Sequence, residues 1–399
     1  AKEIRDEIRS MESSNLIDNL YFREKKVLKF GIYNNYWSTY GGGERRALEI
    51  AEVLEKYGIV DLIGREDNFS LSELENRFGF KFKRVRKVIS YDVSLSSKAY
   101  DLFINSTHGS TLESKADKSV YLASFPDTNL VKGNETGLDS YSAIWANSYF
   151  TAKYIKGRWK RPAQVVYPGG LVGPSATNTS VKKEKLFLVV ARYFSTGHCK
   201  KQIEIVRAFK SFKERYPQLS KDWKLVLVGS IQDQSYYDEV VATAEHADIE
   251  VNSAVSLEYL KKLFNQAAYL VHGTGIGEDV RLNPERMEHF GISVLEGMSH
   301  GCIPITFKHG GFREITGDSL GYVFENKEQM IDKLKSAAHK FTAEYKSYIS
   351  DMEKSLKRSQ KFSQSEIHQA IFKAIEQELP QIKDIDQDRI PFLNSTINH

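Results

Sequence analysis

The chain alternates short apolar runs with segments in which apolar residues recur at helical spacing. The first run is Val27–Tyr33, and the clearest amphipathic segment is Glu44–Tyr57, which Gly58 is expected to end. Short runs of this kind are typical of strands covered on both faces of a sheet. The predicted strands are 27–33, 60–63, 100–104, 119–123, 143–146, 164–167, 186–190, 224–228, 269–271 and 303–306. Strands alternating with helices predict an α/β fold with parallel, doubly wound sheets.

Two domains are predicted, because 399 residues exceed the length over which one hydrophobic core usually grows. A stretch rich in Pro, Gly, Ser and Thr at 168–180 marks the boundary between them. The expected division is a helical extension, two Rossmann-like domains, and final helices that cross back to the first domain. The corresponding ranges are 1–26, 27–175, 176–345 and 346–399.

Composition narrows the class of protein. Hydrophobic residues make up 41% and charged residues 27%, which suits a globular protein, and the net charge of +4 is spread along the chain. So diffuse a charge predicts no nucleic-acid partner, but suits an anionic ligand or a peripheral contact with an acidic membrane. Cys199 and Cys302 stand in unrelated contexts, which favours a reducing, cytoplasmic setting. The start at Ala1 rather than Met suggests part of a longer chain.

A glycine-rich turn follows the first predicted strand. Gly41, Gly42 and Gly43 precede a helix expected to start at Glu44, whose free N–H groups would favour an anionic or hydroxyl-rich ligand. The spacing is not Gly-x-Gly-x-x-Gly, so the turn is not a dinucleotide fingerprint. The alternative is that the glycines only let helix and strand pack closely.

Two cations are expected near the end of the first strand of the second domain. Arg192 follows that strand and Lys200 opens the next predicted helix. Ligands bind beyond the carboxyl ends of parallel strands, so both side chains can converge on a diphosphate. The alternative is a pair of solvated surface cations.

Two glutamates stand at the start of a later helix. Glu288 is predicted at the tip of a loop, beside the N–H groups of Phe290, Gly291 and Ile292. Glu296 lies within the helix among apolar neighbours, where a carboxylate needs partners. Each carboxylate can accept two vicinal hydroxyls of a sugar. The alternative is an acidic helix face.

His108 follows the predicted strand 100–104, and is a candidate base or hydrogen-bond donor to a sugar. A structural or merely exposed histidine is the alternative. The remaining candidate histidines show no metal-ligand spacing, and no carboxylate cluster suggests a cation. Neither a metal nor a cofactor is therefore expected. These histidines are His198, His272, His289, His300 and His309.

Together these motifs resemble the family 4 (group 1) glycosyltransferases, which have the GT-B fold. The hallmark of that family is Glu-x7-Glu, and here it runs from Glu288 to Glu296. The resemblance covers about residues 27–325. Its other parts are the Gly41–Glu44 turn, Arg192 with Lys200, the segments Val226–Gly229 and Gly297–Pro304, and a segment at Asp101–Ser110 that resembles a subset of the family.

The resemblance implies two Rossmann-like domains facing each other across a cleft, and a retaining, metal-independent transfer. A UDP- or GDP-sugar would supply the sugar to a glycan or glycolipid acceptor, in surface polysaccharide or glycoconjugate synthesis. The enzyme would be cytoplasmic, or peripheral at the inner face of the membrane. The implied catalytic residues are Glu288, His108, Arg192 and Lys200, and the implied donor-binding residues are Gly42, Gly43, Arg192, Lys200, Phe290, Gly291, Ile292 and Glu296.

The segment Gly275–Met287 departs from the family by being a longer polar insertion before Glu288. It is expected to influence the choice of donor or acceptor. Two other functions stay open: a nucleotide-sugar 2-epimerase on the same fold, and a non-catalytic nucleotide-sugar-binding module of a larger assembly. A pyridoxal phosphate phosphorylase is disfavoured, because no lysine has a recognisable cofactor context.

Overall fold

The computed structural model describes residues 27–126, 135–170, 182–253 and 255–390. Within them the chain forms two sheets of parallel strands with helices between the strands. The predicted α/β fold with Rossmann-like sheets is therefore confirmed. The predicted extension at 1–26 and the predicted boundary at 175–176 lie outside the described residues.

The first sheet has the strand order β3-β2-β1-β4-β5-β6-β7. Parallel register pairs Phe30 of β1 with Val60 of β2 and with Leu102 of β4. The edge strand β3 carries two charged residues, Arg86 and Lys87, among its five and was not predicted. The strands are β1 Leu28–Tyr33, β2 Gly58–Gly64, β3 Val85–Ile89, β4 Leu102–Asn105, β5 Ser119–Ala123, β6 Ala143–Ala146 and β7 Gln164–Val165.

The second sheet has the order β10-β9-β8-β11-β12-β13. Phe187 of β8 pairs with Leu225 of β9 on one side and Tyr269 of β11 on the other. Its two edge strands, β10 and β13, were not predicted. The strands are β8 Glu184–Val190, β9 Lys224–Val228, β10 Ile249–Asn252, β11 Ala267–His272, β12 Ile303–Phe307 and β13 Tyr322–Phe324.

Most helices follow a strand and return the chain to the start of the next one. The helix after β1 begins at Gly42 rather than Glu44 and ends at Leu54. Gly58 does not end it but opens β2, where an added Cβ would lie 2.1 Å from the Leu28 carbonyl oxygen. In chain order, the helices are α1 Gly42–Leu54, α2 Leu71–Phe78, α3 Val93–Ser96, α4 Glu135–Asp139, α5 Tyr149–Trp159, α6 Gln202–Arg215, α7 Pro217–Ser220, α8 Gln234–Ala244, α9 Leu257–Gln266, α10 Ile292–Ser299, α11 Phe312–Thr316, α12 Lys327–Ala343, α13 Tyr345–Ser359 and α14 Gln364–Glu378.

The chain divides into two compact units that differ from the predicted domain ranges. The first unit comprises Ala1–Leu122, Asn134–Ala143 and Ile371–His399, and the second Ala123–Gly133 and Ile144–Ala370. In the first unit, Tyr57 stacks on Phe372 at a centroid distance of 5.1 Å. Of the segment predicted to cross back, residues from Ile371 onward therefore group with the first strands.

Each unit has its own apolar core. In the first, Phe30, Ile32 and Leu62 are fully buried. In the second, Phe187 stacks on Trp223 at 4.5 Å, and both rings are fully buried. Within the residues that the structure describes, no helix combines the length and the hydropathy needed to cross a bilayer.

Candidate active site

The second unit brings the predicted site residues together at the place where its strand order reverses. Strands β9 and β10 lie on one side of β8, and β11 to β13 lie on the other. Open parallel sheets bind ligands beyond the carboxyl ends of the strands at such a reversal. The segment after β8 carries Arg192 and Lys200, and the segment after β11 leads to Glu288.

Glu288 and Lys200 form a close, largely buried ion pair. Lys200 Nζ donates to Glu288 Oε2 at 2.6 Å, and each side chain is 11% exposed. Glu288 is buried in the segment before α10, where the charge of Lys200 matches its own. One sequence expectation is wrong. Lys200 does not open a helix, since α6 begins at Gln202 after Lys201 adopts a left-handed conformation with φ 59°.

Two histidines that the sequence left unassigned surround this ion pair. His272 Nε2 lies 3.4 Å from Glu288 Oε2, and His198 Nε2 lies 3.7 Å from the same oxygen. His198 also stacks on His289 with a centroid distance of 4.5 Å and nearly parallel rings. Only the position of His272 could have indicated its place in the site, because it is the last residue of a buried strand next to the reversal in strand order.

Burial and charge set the protonation of this cluster. Burial alone would raise the pKa of Glu288, but the charge of Lys200 and the two histidines hold it well below its usual value. Burial lowers the pKa of Lys200, with the nearby Arg192 adding to the effect and Glu288 opposing it. Burial lowers the pKa of His272 to about 4 and, with the charge of Lys200, takes that of His198 well below 6.5. At neutral pH the cluster is a carboxylate–ammonium pair flanked by neutral imidazoles.

Backbone contacts fix the loop between Glu288 and α10. The N–H of Gly311 donates to the Glu288 carbonyl at 2.6 Å, and a Cβ on Gly310 would lie 2.5 Å from that carbonyl oxygen. Gly291, with φ 103°, turns the chain into α10, a conformation that L side chains rarely adopt. Val294 and Leu295 donate the first helical hydrogen bonds to the Gly291 carbonyl, which leaves the preceding N–H groups for other acceptors.

The other predicted donor-binding residues of this segment are partly enclosed. Phe290 is 2% exposed and packs against the rings of Tyr167 and Phe362, at centroid distances of 5.4 and 5.8 Å. Glu296 is 8% exposed within α10. An added Cβ on Gly170 would lie 3.2 Å from Glu296 Cγ, so Gly170 lets the chain pass close to this carboxylate. Ile292 is half-buried as the first residue of the helix.

Further cations lie beside the Glu288–Lys200 pair. Arg192 Nη1 donates to the Gln232 side chain at 3.1 Å. In the insertion before Glu288, Glu278 bridges Lys201 and Arg286, with both N–O distances at 3.1 Å. Cations therefore outnumber carboxylates around the cluster, which favours an anionic ligand.

The remaining predicted residues lie in the first unit, at the corresponding reversal between β1 and β4. Gly42 and Gly43 form the first turn of α1 instead of a loop before it. The Glu44 carboxylate accepts from the N–H of Gly41 at 2.6 Å and from Asn34 at 3.0 Å, so it holds the turn. His108 is exposed just beyond the end of β4.

Within the described ranges, no three or more His, Cys, Asp or Glu side chains are grouped so that they could hold a metal ion.

A known protein family resembles a large part of the second unit. The family model described as glycosyl transferases group 1 matches residues 175–352. Residues 175–352 are therefore similar to group 1 glycosyltransferases, and they include Arg192, Lys200, Glu288 and Glu296. This match supports the family resemblance that those residues indicated.

Solved structures show the same fold. The Anabaena protein HepE, in complex with UDP and glucose, superposes with a TM-score of 0.64 at 15% identity, over 88% of this chain and all of that one. WaaG, a glycosyltransferase involved in lipopolysaccharide biosynthesis, gives 0.61 at 14% identity, over 88% of this chain and 99% of that one. A glycosyltransferase from Rickettsia africae gives 0.62 at 13% identity, with the same coverage. The fold is GT-B.

A curated relative is the GDP-Man:Man(3)GlcNAc(2)-PP-Dol alpha-1,2-mannosyltransferase of Dictyostelium discoideum. The two sequences are 23% identical over 256 residues, which is 58% of this chain and 46% of the relative. The chain therefore spans about half the length of this relative.

Proposed function

We propose that this protein transfers a sugar from a nucleotide-sugar donor to a glycan or glycolipid acceptor. The observation that carries the proposal is the Lys200–Glu288 pair at the strand-order reversal, within the residues that match the group 1 glycosyltransferase model. It combines a cation for a leaving phosphate with a carboxylate for sugar hydroxyls in one enclosed cluster.

The cations suit the charge that develops during transfer. Cleavage of a glycosyl–phosphate bond leaves negative charge on the diphosphate and positive charge on the sugar. Fixed cations that stabilise the departing diphosphate more in the transition state than in the ground state accelerate the reaction. Lys200 and Arg192 would serve here as a point charge and a planar fork.

The start of α10 suits the sugar side of the same ligand. Glu288 would accept hydroxyl groups of the donor sugar, and the backbone N–H groups from Phe290 to Ile292 would act with it. Helix N-termini favour negative charge, so the same backbone would also bind a phosphate oxygen. Glu296, further along the helix, would accept the ribose hydroxyls.

The finer expectations form part of this proposal. Transfer would retain the anomeric configuration without a metal, as in family 4, and His108, Gly42 and Gly43 would contact the donor or acceptor from the first unit. The names of the similar proteins support UDP and GDP as candidate bases and a diphosphate-linked glycolipid as a candidate acceptor. The proposed setting is the cytoplasm, with peripheral contact at the inner membrane face.

Donor binding can be tested with a thermal-shift panel of UDP-, GDP- and ADP-sugars. A ligand that binds only the folded state raises the melting temperature by mass action. We expect one nucleotide-sugar series to raise it, and the same series to support transfer to acceptor glycans. No shift with any compound would refute the proposal. A change of sugar configuration without an acceptor would indicate an epimerase instead.

Glu288→Ala gives the sharper test of the site, with Glu285→Ala as its matched control. Both glutamates lie in one segment, but Glu285 is more exposed and pairs with Arg158 at 2.7 Å, away from Lys200. We expect Glu288→Ala to abolish transfer and Glu285→Ala to retain it. Full transfer by folded Glu288→Ala protein would contradict the assigned role.

A further inference from the structure

His272 is held by contacts on several sides of its ring. It ends β11 with 3% exposure, and its ring meets Phe312 edge to face at a centroid distance of 4.8 Å. The backbone N–H of Thr274 lies 3.5 Å from His272 Nδ1 and faces that nitrogen as a donor. Since the ring is packed in place, its second nitrogen has a fixed direction.

The Thr274 contact also defines the tautomer. A nitrogen that faces an N–H must offer its lone pair, so Nδ1 is unprotonated and the proton of the neutral ring is on Nε2. The pKa of His272, which burial lowers to about 4, agrees with a neutral ring at physiological pH. This protonated Nε2 lies 3.4 Å from Glu288 Oε2.

The two oxygens of Glu288 differ in what surrounds them. Oε2 faces Lys200 at 2.6 Å, His272 at 3.4 Å and His198 at 3.7 Å. Oε1 accepts the N–H of the adjacent His289 at 3.2 Å. A carboxylate oxygen has about two lone-pair sites. Oε2 is therefore enclosed by Lys200 and the two imidazoles, whereas Oε1 has one hydrogen bond and retains capacity for a ligand hydroxyl.

We propose that His272 is a positioning residue that holds Glu288 by its Oε2 and thereby presents Oε1 to a hydroxyl of the donor sugar. This inference rests on the proposed function. The inference goes beyond that function by assigning different roles to the two residues that contact Glu288, Lys200 and His272. Lys200 is a flexible chain whose charge the diphosphate also attracts, whereas His272 is neutral and immobile, so it keeps Glu288 in place when the diphosphate is bound.

The test compares nucleotide diphosphates with their sugar conjugates, because Glu288 would contact only the sugar. Calorimetry would measure UDP, UDP-glucose, GDP and GDP-mannose on the wild-type protein, His272→Phe and His272→Gln. Phe keeps a planar ring without the N–H, and Gln restores an N–H donor. We expect His272→Phe to bind the diphosphate within about twofold of wild type but the sugar conjugate about tenfold or more weakly, with recovery in His272→Gln.

A double variant distinguishes positioning from general loss of structure. In a Glu288→Gln background, His272→Phe should weaken the sugar conjugate no further, since the residue acts through Glu288. An equal loss in both backgrounds would overturn the inference. So would wild-type affinity for the sugar conjugate in folded His272→Phe.

Two further outcomes, an unfolded variant and a wild-type protein that binds no sugar conjugate, are distinguished as follows. If His272→Phe does not fold, nitrogen-15 NMR of the wild-type imidazoles decides, because a proton on Nδ1 of His272 would overturn the inference and one on Nε2 alone would support it. If the wild-type protein binds no sugar conjugate, the proposed function fails and this inference with it. If the wild-type protein and His272→Phe bind the sugar conjugate equally well, only the proposed role of His272 is refuted.

Discussion

Replacing Lys200 by methionine removes the cation from Glu288 while keeping an unbranched side chain of similar length. At 2.6 Å and an effective dielectric of about 20, the attraction between the two charges is about 6 kcal/mol before desolvation is counted. Removal of one partner leaves a buried charge uncompensated, which typically costs about 3–5 kcal/mol. We expect Lys200→Met to lower the free energy of unfolding of the second unit by about 3–5 kcal/mol.

The loss should depend on pH in a defined direction. In the wild-type protein the depressed pKa of Glu288 contributes stability above about pH 4.5, which is lost as the pH falls through the folded value. Without Lys200, burial would raise that pKa, so the carboxylate would destabilise the fold at neutral pH and protonate more readily in acid. The difference between wild type and variant should therefore be largest near pH 7 and shrink towards pH 4.

Urea denaturation of four proteins measures the effect: wild type, Lys200→Met, Glu288→Gln and the double variant. The double variant should recover much of the stability that Lys200→Met loses, because it buries no unpaired charge. Lys185→Met is a matched control, since Lys185 pairs with Asp222 at a similar 2.8 Å but the two side chains are 34% and 63% exposed. Additive losses in the double variant, or an equal effect in the control, would refute the reasoning.

Further predictions concern stability. Burial lowers the pKa of His300 to about 4, so stability should fall between about pH 6.5 and pH 4 by up to ~1.4 kcal/mol per unit, and His300→Gln should flatten that urea-denaturation profile; an unchanged slope would contradict this. Gly229→Ala should destabilise by ~2 kcal/mol or more, because its Cβ would lie 1.8 Å from a carbonyl oxygen, whereas Gly157→Ala, in open space on α5, should stabilise by ~0.5–1 kcal/mol. Equal melting temperatures for these two variants would be inconsistent with that geometry. Glu314→Ala should cost ~1 kcal/mol, since its carboxylate accepts the N–H groups of Tyr149–Phe150 at the start of α5, and unchanged thermal denaturation would argue against that cap.

The sequence predicted interior strands better than edge strands. Ala143–Ala146 and Lys224–Val228 were predicted with the observed bounds, because both faces of an interior strand are covered and its sequence becomes a short apolar run. The missed strands, Val85–Ile89, Ile249–Asn252 and Tyr322–Phe324, all lie at sheet edges. Val85–Ile89 and Ile249–Asn252 are partly solvated and carry charged residues, so their patterns resemble loops. Tyr322–Phe324 is too short to form a recognisable apolar run.

The candidate site, too, could be predicted from the sequence only in part. Arg192, Lys200 and Glu288 could be selected because each lies near the end of a strand or the start of a helix, where ligands of parallel sheets bind. Nothing local in the sequence pairs Lys200 with Glu288, since 88 positions separate them and only the adjacency of β8 and β11 brings them together. The same adjacency adds His272, whose surroundings in the sequence are unremarkable for a metal ligand or a catalytic base.

The cluster also connects stability with the proposed chemistry. Lys200 stabilises the buried Glu288 charge in the free protein, and under the proposed function the same ammonium would bind the diphosphate of the donor. A bound diphosphate would draw Lys200 towards itself and weaken its contact with Glu288, at the time when that carboxylate must hold the sugar. A neutral, packed imidazole has no such competing attraction. Glu288 can therefore share its cation with the ligand without losing its orientation, provided that His272 retains its N–H.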